Sequence, residues 1–542
     1  MLKSDQDEST NKSILKHGTS LSLLTLLSRI LGLVREMTKS AFMGTGPLAD
    51  AFAVAFLIPN LLRRLFAENS ITIAFIPTFK KYLSERENAF TFNEKLKNKQ
   101  ETEEFLSAIF TIISFLTTVV VILGIIFTPT ILRLFFPRLT DDFTLTVLLS
   151  RIMFPYLTLI SLAAFFQGIL NGVRVFTPSG FTPILFNIII IAATYALSDY
   201  FDNAAIAMSL GVTLGGVVQA LFQLPFVLKT KFRFSFISLK QAFANEGTKQ
   251  VFRLIIPTLF GMAAYQINDL VSSSLGKTAG IGVLSSLQYS MRLLELLLGV
   301  FAVSLGTVIL PDLAGYATKK NWKEFQKVFL NAIKIIAVIT IPASFFSLLS
   351  SEHIITLVYK AKSFDASSVA LTMEAFRYHI IGLFFVALNR IVAPAFYAQS
   401  NSRFPAIAGF VSVLVNIAAA FALVGSMAGG GLALALSISS VVNTLLLFFF
   451  LTKNPNLQVA KIIRSSLFSI LKITVFSVIA SIPIYFFGES IYPIFAGRSR
   501  IISEGIPLLI NFFLFGSIGI FLLRISDDNS IKGILNKLKH SK

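Results

Sequence analysis

The sequence contains no cysteine, so disulfides, thiolate chemistry and cysteine-ligated metals are excluded. There are only four histidines (His17, His353, His379 and His540), and no two stand at metal-ligand spacing. Charge is scarce: 14% of residues are charged, against about 25% in a soluble protein. Acidic residues are the scarcer sign, with 28 Asp and Glu against 47 Lys and Arg and a net charge of +19. No glycine-rich phosphate loop, HExxH or GxSxG occurs, so neither ATP-driven transport nor hydrolase chemistry has support. Asp141-Asp142 and Asp527-Asp528 resemble transferase carboxylates only superficially, and each reads as a solvated turn or tail. The first dozen residues lack an apolar core or cleavage site, so the first apolar run is expected to be retained.

What the chain has in abundance is apolar length. Hydrophobic residues make up 54% of it, phenylalanine alone contributes 55, and the mean hydropathy is +0.75. Apolar runs of about 20 residues, each enough to cross a hydrocarbon core of roughly 30 Å, recur along the sequence. They fall near 19–38, 47–77, 105–136, 144–170, 179–198, 204–228, 253–275, 280–313, 329–350, 371–398, 404–424, 430–451, 466–487 and 506–524. The expected fold is therefore an all-α polytopic membrane protein of about fourteen transmembrane helices, with tilts or kinks in the longer runs, as at Pro59. With the N-terminus inside, the inner connections carry 21 lysines and arginines and the outer ones 7. That bias predicts both termini on the cytoplasmic side. In this setting the net positive charge reads as topology and contact with anionic headgroups, not nucleic acid.

The chain also repeats itself. Gly180-Phe-Thr-Pro-Ile-Leu-Phe-Asn-Ile188 aligns with Gly409-Phe-Val-Ser-Val-Leu-Val-Asn-Ile417, five of nine identical. Phe75–Tyr82 aligns with Ile309–Tyr316, and Val217–Leu221 with Val441–Leu445. Spans 1–6 are thus expected to recur as spans 7–12, a pseudo-symmetry that typically flanks a midplane site. The organisation that follows is a cytoplasmic segment at 1–18, an N-lobe at 19–230 and a basic linker at 231–252. A C-lobe at 253–453, two further spans within 454–524 and a basic cytoplasmic tail at 525–542 complete it.

Charges inside the spans carry the functional signal. In span 1, Ser22, Thr25, Ser28, Arg29, Arg35 and Glu36 fall within one sector of a helix. Span 2 carries Asp50, Asn60, Arg63, Arg64 and Glu68; span 7 carries Gln266, Asn268 and Asp269; span 8 places Ser285, Gln288, Arg292 and Glu295 on one face. An arginine at the bilayer centre costs about 2.5–3.5 kcal/mol on insertion scales, so such residues face a bundle interior or a wet cavity. The plain reading pairs them with Asp50, Glu68, Asp269 and Glu295, or lets them snorkel. The functional reading gathers the cations into an anion site, for which the planar guanidinium fork suits phosphate. Glu374 and Arg377, spaced i, i+3, read as an ion pair, Arg390 as a deeper cavity residue, and Asp269 with Asn416 as too few ligands for a cation site.

The stretch Thr25-Leu-Leu-Ser-Arg-Ile-Leu-Gly-Leu-Val-Arg-Glu36, then Ala49-Asp-Ala-Phe-Ala-Val-Ala-Phe56 and Ile58-Pro-Asn-Leu-Leu-Arg-Arg-Leu-Phe-Ala-Glu68, resembles the N-terminal signature of the MurJ (MviN-type) lipid II flippases. The resemblance continues through Ser304–Pro311 and Ala393–Ala398 and spans essentially the whole chain. It implies the fold of the multidrug/oligosaccharidyl-lipid/polysaccharide exporters: two six-helix lobes plus two helices forming a groove for a polyprenyl tail. The implied substrate is undecaprenyl pyrophosphate bearing the disaccharide-pentapeptide of peptidoglycan, flipped across the bacterial cytoplasmic membrane. Arg29, Arg35, Arg63 and Arg292 match the family's cavity arginines and Asp50 its cavity carboxylate. Ser28, Asn60, Glu68 and Glu295 match positions near the cavity, and Arg390 a position basic in relatives. Glu36 departs from the commoner Asp and preserves its charge.

No enzyme activity and no cofactor are expected; a monovalent cation or the membrane potential would supply the coupling. Lipid II, membrane lipids and cell-wall synthesis proteins are the implied partners. The alternatives are a flippase for another polyprenyl-pyrophosphate oligosaccharide and a cation-coupled multidrug antiporter, whose cavity would be acidic. A polyprenyl glycosyl- or phosphotransferase would need paired carboxylates with a metal, and a recruiting scaffold would leave the buried charges without a purpose.

Overall fold

The computed structural model describes residues 2–65, 71–139 and 142–526. The described residues are helical throughout, with no strand beyond an isolated bridge between Ala361 and Phe364. Two compact units are present, Met1–Thr278 and Ala279–Lys542. Eight described helices are long and apolar enough to cross a membrane, or nine if one bent pair counts as a single span.

The first unit runs through α1 (Leu2–Met43), α2 (Pro47–Arg63), α3 (Ile76–Glu87), α4 (Phe92–Phe135), α5 (Phe143–Met153), α6 (Tyr156–Gly172), α7 (Thr177–Leu197), α8 (Ala204–Lys229), the short α9 (Leu239–Ala244) and α10 (Glu246–Ala279). Between α2 and α3 the backbone widens to π-helix at Arg64 and again over Ile71–Phe75. The expected single span over 47–77 is therefore interrupted. The run 144–170 is likewise two helices, broken before Tyr156 where Pro155 has no N–H to continue the ladder.

Helix α4 begins 13 residues before its apolar run because a capping box starts it. Thr91 accepts the N–H of Glu94, while the Glu94 carboxylate accepts the N–H groups of Thr91 and Phe90. Those backbone donors, Thr91 first, hold the Glu94 carboxyl below its ordinary value.

Small residues and side-chain amides join the helices of this unit. A Cβ at Gly215 of α8 would meet the Phe186 ring of α7 at 2.7 Å, so the contact needs glycine. Gln219 of α8 donates to the carbonyl of Thr182, and Gln223 to that of Ala163. Such bonds replace the hydrophobic drive that lipid cannot provide between helices.

The second unit contains α11 (Val283–Thr318), α12 (Trp322–Leu349), α13 (Ser351–Tyr359), α14 (Ala366–Ile381), α15 (Leu383–Tyr397), α16 (Arg403–Leu451), α17 (Val459–Phe487) and α18 (Ile506–Ile525). The expected run 371–398 is bent by 44° at Gly382, between α14 and α15. The 49-residue α16 folds back on itself at Ala428, whose φ of 43° and ψ of −121° are non-helical. Its limbs lie side by side: Ser412 Oγ donates to the Ser439 carbonyl at 2.9 Å. Further polar bonds cross this unit, from Asn389 to the Ser440 carbonyl, from Thr444 to Asn389, from Ser437 to the Tyr378 carbonyl, and between Ser290 and His379.

Candidate functional site

The charges of the first unit are held by partners on their own helices and on others. Arg35, near the end of α1, donates from Nη1 to Asn187 Oδ1 of α7 at 3.1 Å and from Nη2 to Glu36 Oε1 at 2.9 Å. Asn187 is 5% exposed and is itself fixed, because its Nδ2 reaches the carbonyls of Pro183 at 2.9 Å and Ser28 at 3.3 Å. Its oxygen can therefore turn only toward the guanidinium. Glu36 also faces buried Lys39, with Nζ 3.8 Å from Oε2. Ser28 and Arg29 are half-buried on the same helix.

On α2, Asp50 is completely buried. A lysine pairs with it: Lys277 Nζ, from the last turn of α10, lies 3.7 Å from Asp50 Oδ2 and 3.7 Å from Asp142 Oδ2. Lys277 is therefore a buried bridge and not a solvated connection residue, and Asp142 is not a solvated turn. Asp141, Asp527 and Asp528 lie outside the described residues. Arg63 Nε donates to Asn60 Oδ1 one turn back at 3.1 Å. Just past α2, Arg64 reaches Asp269 of α10 at 3.2 Å. Glu68 lies outside the described residues.

The second unit presents its predicted residues differently. Arg292 Nη1 pairs with Glu295 Oε2 at 3.2 Å on the same face of α11, and Glu295 is exposed. Arg390 of α15 is exposed. The expected Glu374–Arg377 pair does not form; Arg377 Nε donates to Ser351 Oγ at 2.8 Å instead.

Sequence reasoning missed two residues that organise the first unit, Asn187 and Lys277. Asn187 stood in the repeat motif, matched by Asn416, and a conspicuous amide in an apolar helix was the available signal. Lys277 sat at a span end, where snorkelling is the default reading, and nothing local distinguished it. Among the described residues no group of three or more His, Asp or Glu is placed to hold a metal.

The first unit thus gathers several guanidinium groups, whose planar donor forks suit anions. It offers an oriented guanidinium at Arg35, half-buried guanidinium groups at Arg29, Arg63 and Arg64, and a buried carboxylate paired with a lysine.

Comparisons with known proteins bear out the resemblance read from the sequence. The family described as "Lipid II flippase MurJ" matches residues 39–496. A probable lipid II flippase MurJ from Treponema pallidum is 47% identical over 96% of this chain and 97% of its own length. The lipid II flippase MurJ of Burkholderia cenocepacia is 29% identical over 80% of this chain and 83% of its own. Among solved structures, a lipid II flippase MurJ in an inward closed conformation superposes with a TM-score of 0.76 at 25% identity, covering 93% of this chain and 98% of that one. An inward-facing multidrug transporter of the MATE family, at TM-score 0.65 and 15% identity over 82% of this chain and 99% of that one, shares the fold alone.

Proposed function

The chain belongs to the MurJ family of lipid II flippases, and from that premise we propose that it carries lipid II from the inner to the outer leaflet of the bacterial cytoplasmic membrane by alternating access. In this reading it is a multi-pass transporter of fourteen spans with both termini in the cytoplasm, and it makes and breaks no covalent bond. The pyrophosphate is received by Arg29, Arg35 and Arg63, with Arg292 supplying a further cation. In this reading Ser28, Asn60, Glu295 and Arg390 also serve the headgroup, and the polyprenyl tail stays in lipid beside α17 and α18.

The observation that carries the reading is the built geometry around Arg35. A guanidinium on a membrane helix costs several kcal/mol unless it is used, and here Asn187 aims it by a bond that two backbone carbonyls fix in turn. Pre-oriented donors meet a dianionic pyrophosphate without reorganising, and Arg matches its oxygens two at a time. Lys277 lies between Asp50 and Asp142 and offsets one of their two charges.

The inside-negative membrane potential favours outward movement of an anion by roughly 2.3 kcal/mol per charge per 100 mV, and a monovalent cation is the other candidate for coupling. The deciding experiment is a flipping assay with fluorescent lipid II in vesicles of defined potential, run on the parent and on Arg29→Ala, Arg35→Ala and Arg63→Ala. Loss of flipping with normal membrane insertion is the expected outcome. Full flipping by all three variants would remove the anion-site reading.

A further inference from the structure

His353 stands in an arrangement that lipid recognition does not use. It lies on α13, and its imidazole is gripped from both sides by the connection between α17 and α18. Nδ1 is 2.7 Å from Glu504 Oε2, and Nε2 is 3.1 Å from Glu489 Oε2. Tyr492, on the same connection, stacks on the imidazole with ring centroids 3.5 Å apart and planes 14° from parallel. The Glu504 and His353 side chains are about four-fifths buried, while Glu489 is mostly exposed.

A neutral imidazole has one N–H and one lone pair. It can satisfy one of these carboxylates and must turn its lone pair toward the other. Only the imidazolium donates at both nitrogens, and its charge is then shared by two carboxylates and favoured by the aromatic face of Tyr492. The carboxylates address opposite nitrogens, so a single metal ion could not serve both through the ring.

We propose that His353, Glu489, Glu504 and Tyr492 form a proton-binding clamp that fastens the α17–α18 connection to α13. With the imidazole protonated, both bonds are made. With the imidazole neutral, one bond becomes a repulsive contact, and the connection is released from α13.

The other charged groups around the ring have been placed. On α13 itself Glu352 is exposed. The α17–α18 connection also carries Arg498 and Arg500. From α14, Arg377 faces α13 through its bond to Ser351. The charged residues of α12, α17 and α18 lie toward the other ends of those helices. Burial and the two carboxylates hold the Tyr492 phenol above its ordinary range, so it remains neutral across the window.

The clamp works irrespective of the cargo, so its test needs no transport. Because the sequence has no cysteine, Ser363→Cys with Ser499→Cys gives a unique pair of spin-label sites, both exposed and neutral. The full chain in lipid nanodiscs would be measured by electron–electron double resonance at about pH 5 and about pH 8, the limits between which imidazole ordinarily changes charge. One narrow distance peak is expected in acid. A broadened distribution or an added longer component is expected in alkali. His353→Gln should give the alkaline pattern at both values, and Glu489→Gln with Glu504→Gln should give no pH response. Identical distributions for the parent at the two pH values would overturn the proposal. So would a pH response that survives in His353→Gln.

Discussion

The two units hold their basic side chains in different ways. In the first, the partner comes from elsewhere in the fold: Arg35 is aimed by Asn187 of α7, Lys277 of α10 bridges Asp50 and Asp142, and Arg64 reaches Asp269. In the second, Arg292 pairs with Glu295 on its own helix, and Arg390 stands exposed on α15. Partners from other helices fix Arg35, Arg64 and Asp50 in the first unit, whereas Arg292 in the second is held by local helix spacing. In the first, therefore, a substitution disturbs stability and recognition together; in the second the two effects come apart.

The largest effect should follow from Lys277→Met. Breaking a buried pair while leaving its carboxylate in place costs about 3–5 kcal/mol, and Asp50 is fully buried. Thermal unfolding in detergent should show the loss, and adding Asp50→Asn should recover much of it. Equal stability of Lys277→Met and the parent would erase the distinction between the units.

Asn187→Leu should come next, at about 1–3 kcal/mol for stranding bonded groups in an apolar setting. It should also reduce lipid II flipping by disorienting Arg35, whereas Asn187→Gln should not rescue it, because the longer amide displaces the oxygen. Arg64→Gln should cost under about 1 kcal/mol, since that pair is a third or more exposed. Arg292→Gln should cost the least stability, about 0.2–0.5 kcal/mol for a same-helix pair. Its flipping rate should nevertheless fall roughly tenfold or more, the equivalent of one charge-assisted bond. If Arg292→Gln unfolded as readily as Lys277→Met, the contrast would fail.

Much of the helical layout was legible in the sequence because apolar runs have clear ends. The run 506–524 is α18 within a residue, 204–228 is α8, and 404–424 with 430–451 are the two limbs of α16. Breaks inside runs were not legible at Pro155 or Gly382, where the chain is apolar on both sides. Helix α4 exceeded its apolar run because capping and i, i+4 pairs such as Lys97–Glu101 sustain a helix without hydrophobicity. The site was readable by residue type: Arg29, Arg35, Arg63 and Asp50 were conspicuous against Leu and Ile. Who bonds to whom was not readable. Arg35 and Asn187 are 152 residues apart, and Asp50 and Lys277 further still, so each pairing exists only once the chain has folded.

The fold-back at Ala428 has a mechanical corollary. An L-residue at that φ is strained, and the limbs on either side are joined without slack. A hairpin so tightly strung transmits displacement from one rod to its neighbour as a stiff lever would. Lengthening the joint by a few glycines would turn that lever into a loose hinge, and whatever motion α16 conveys should then be lost with the helices themselves unharmed.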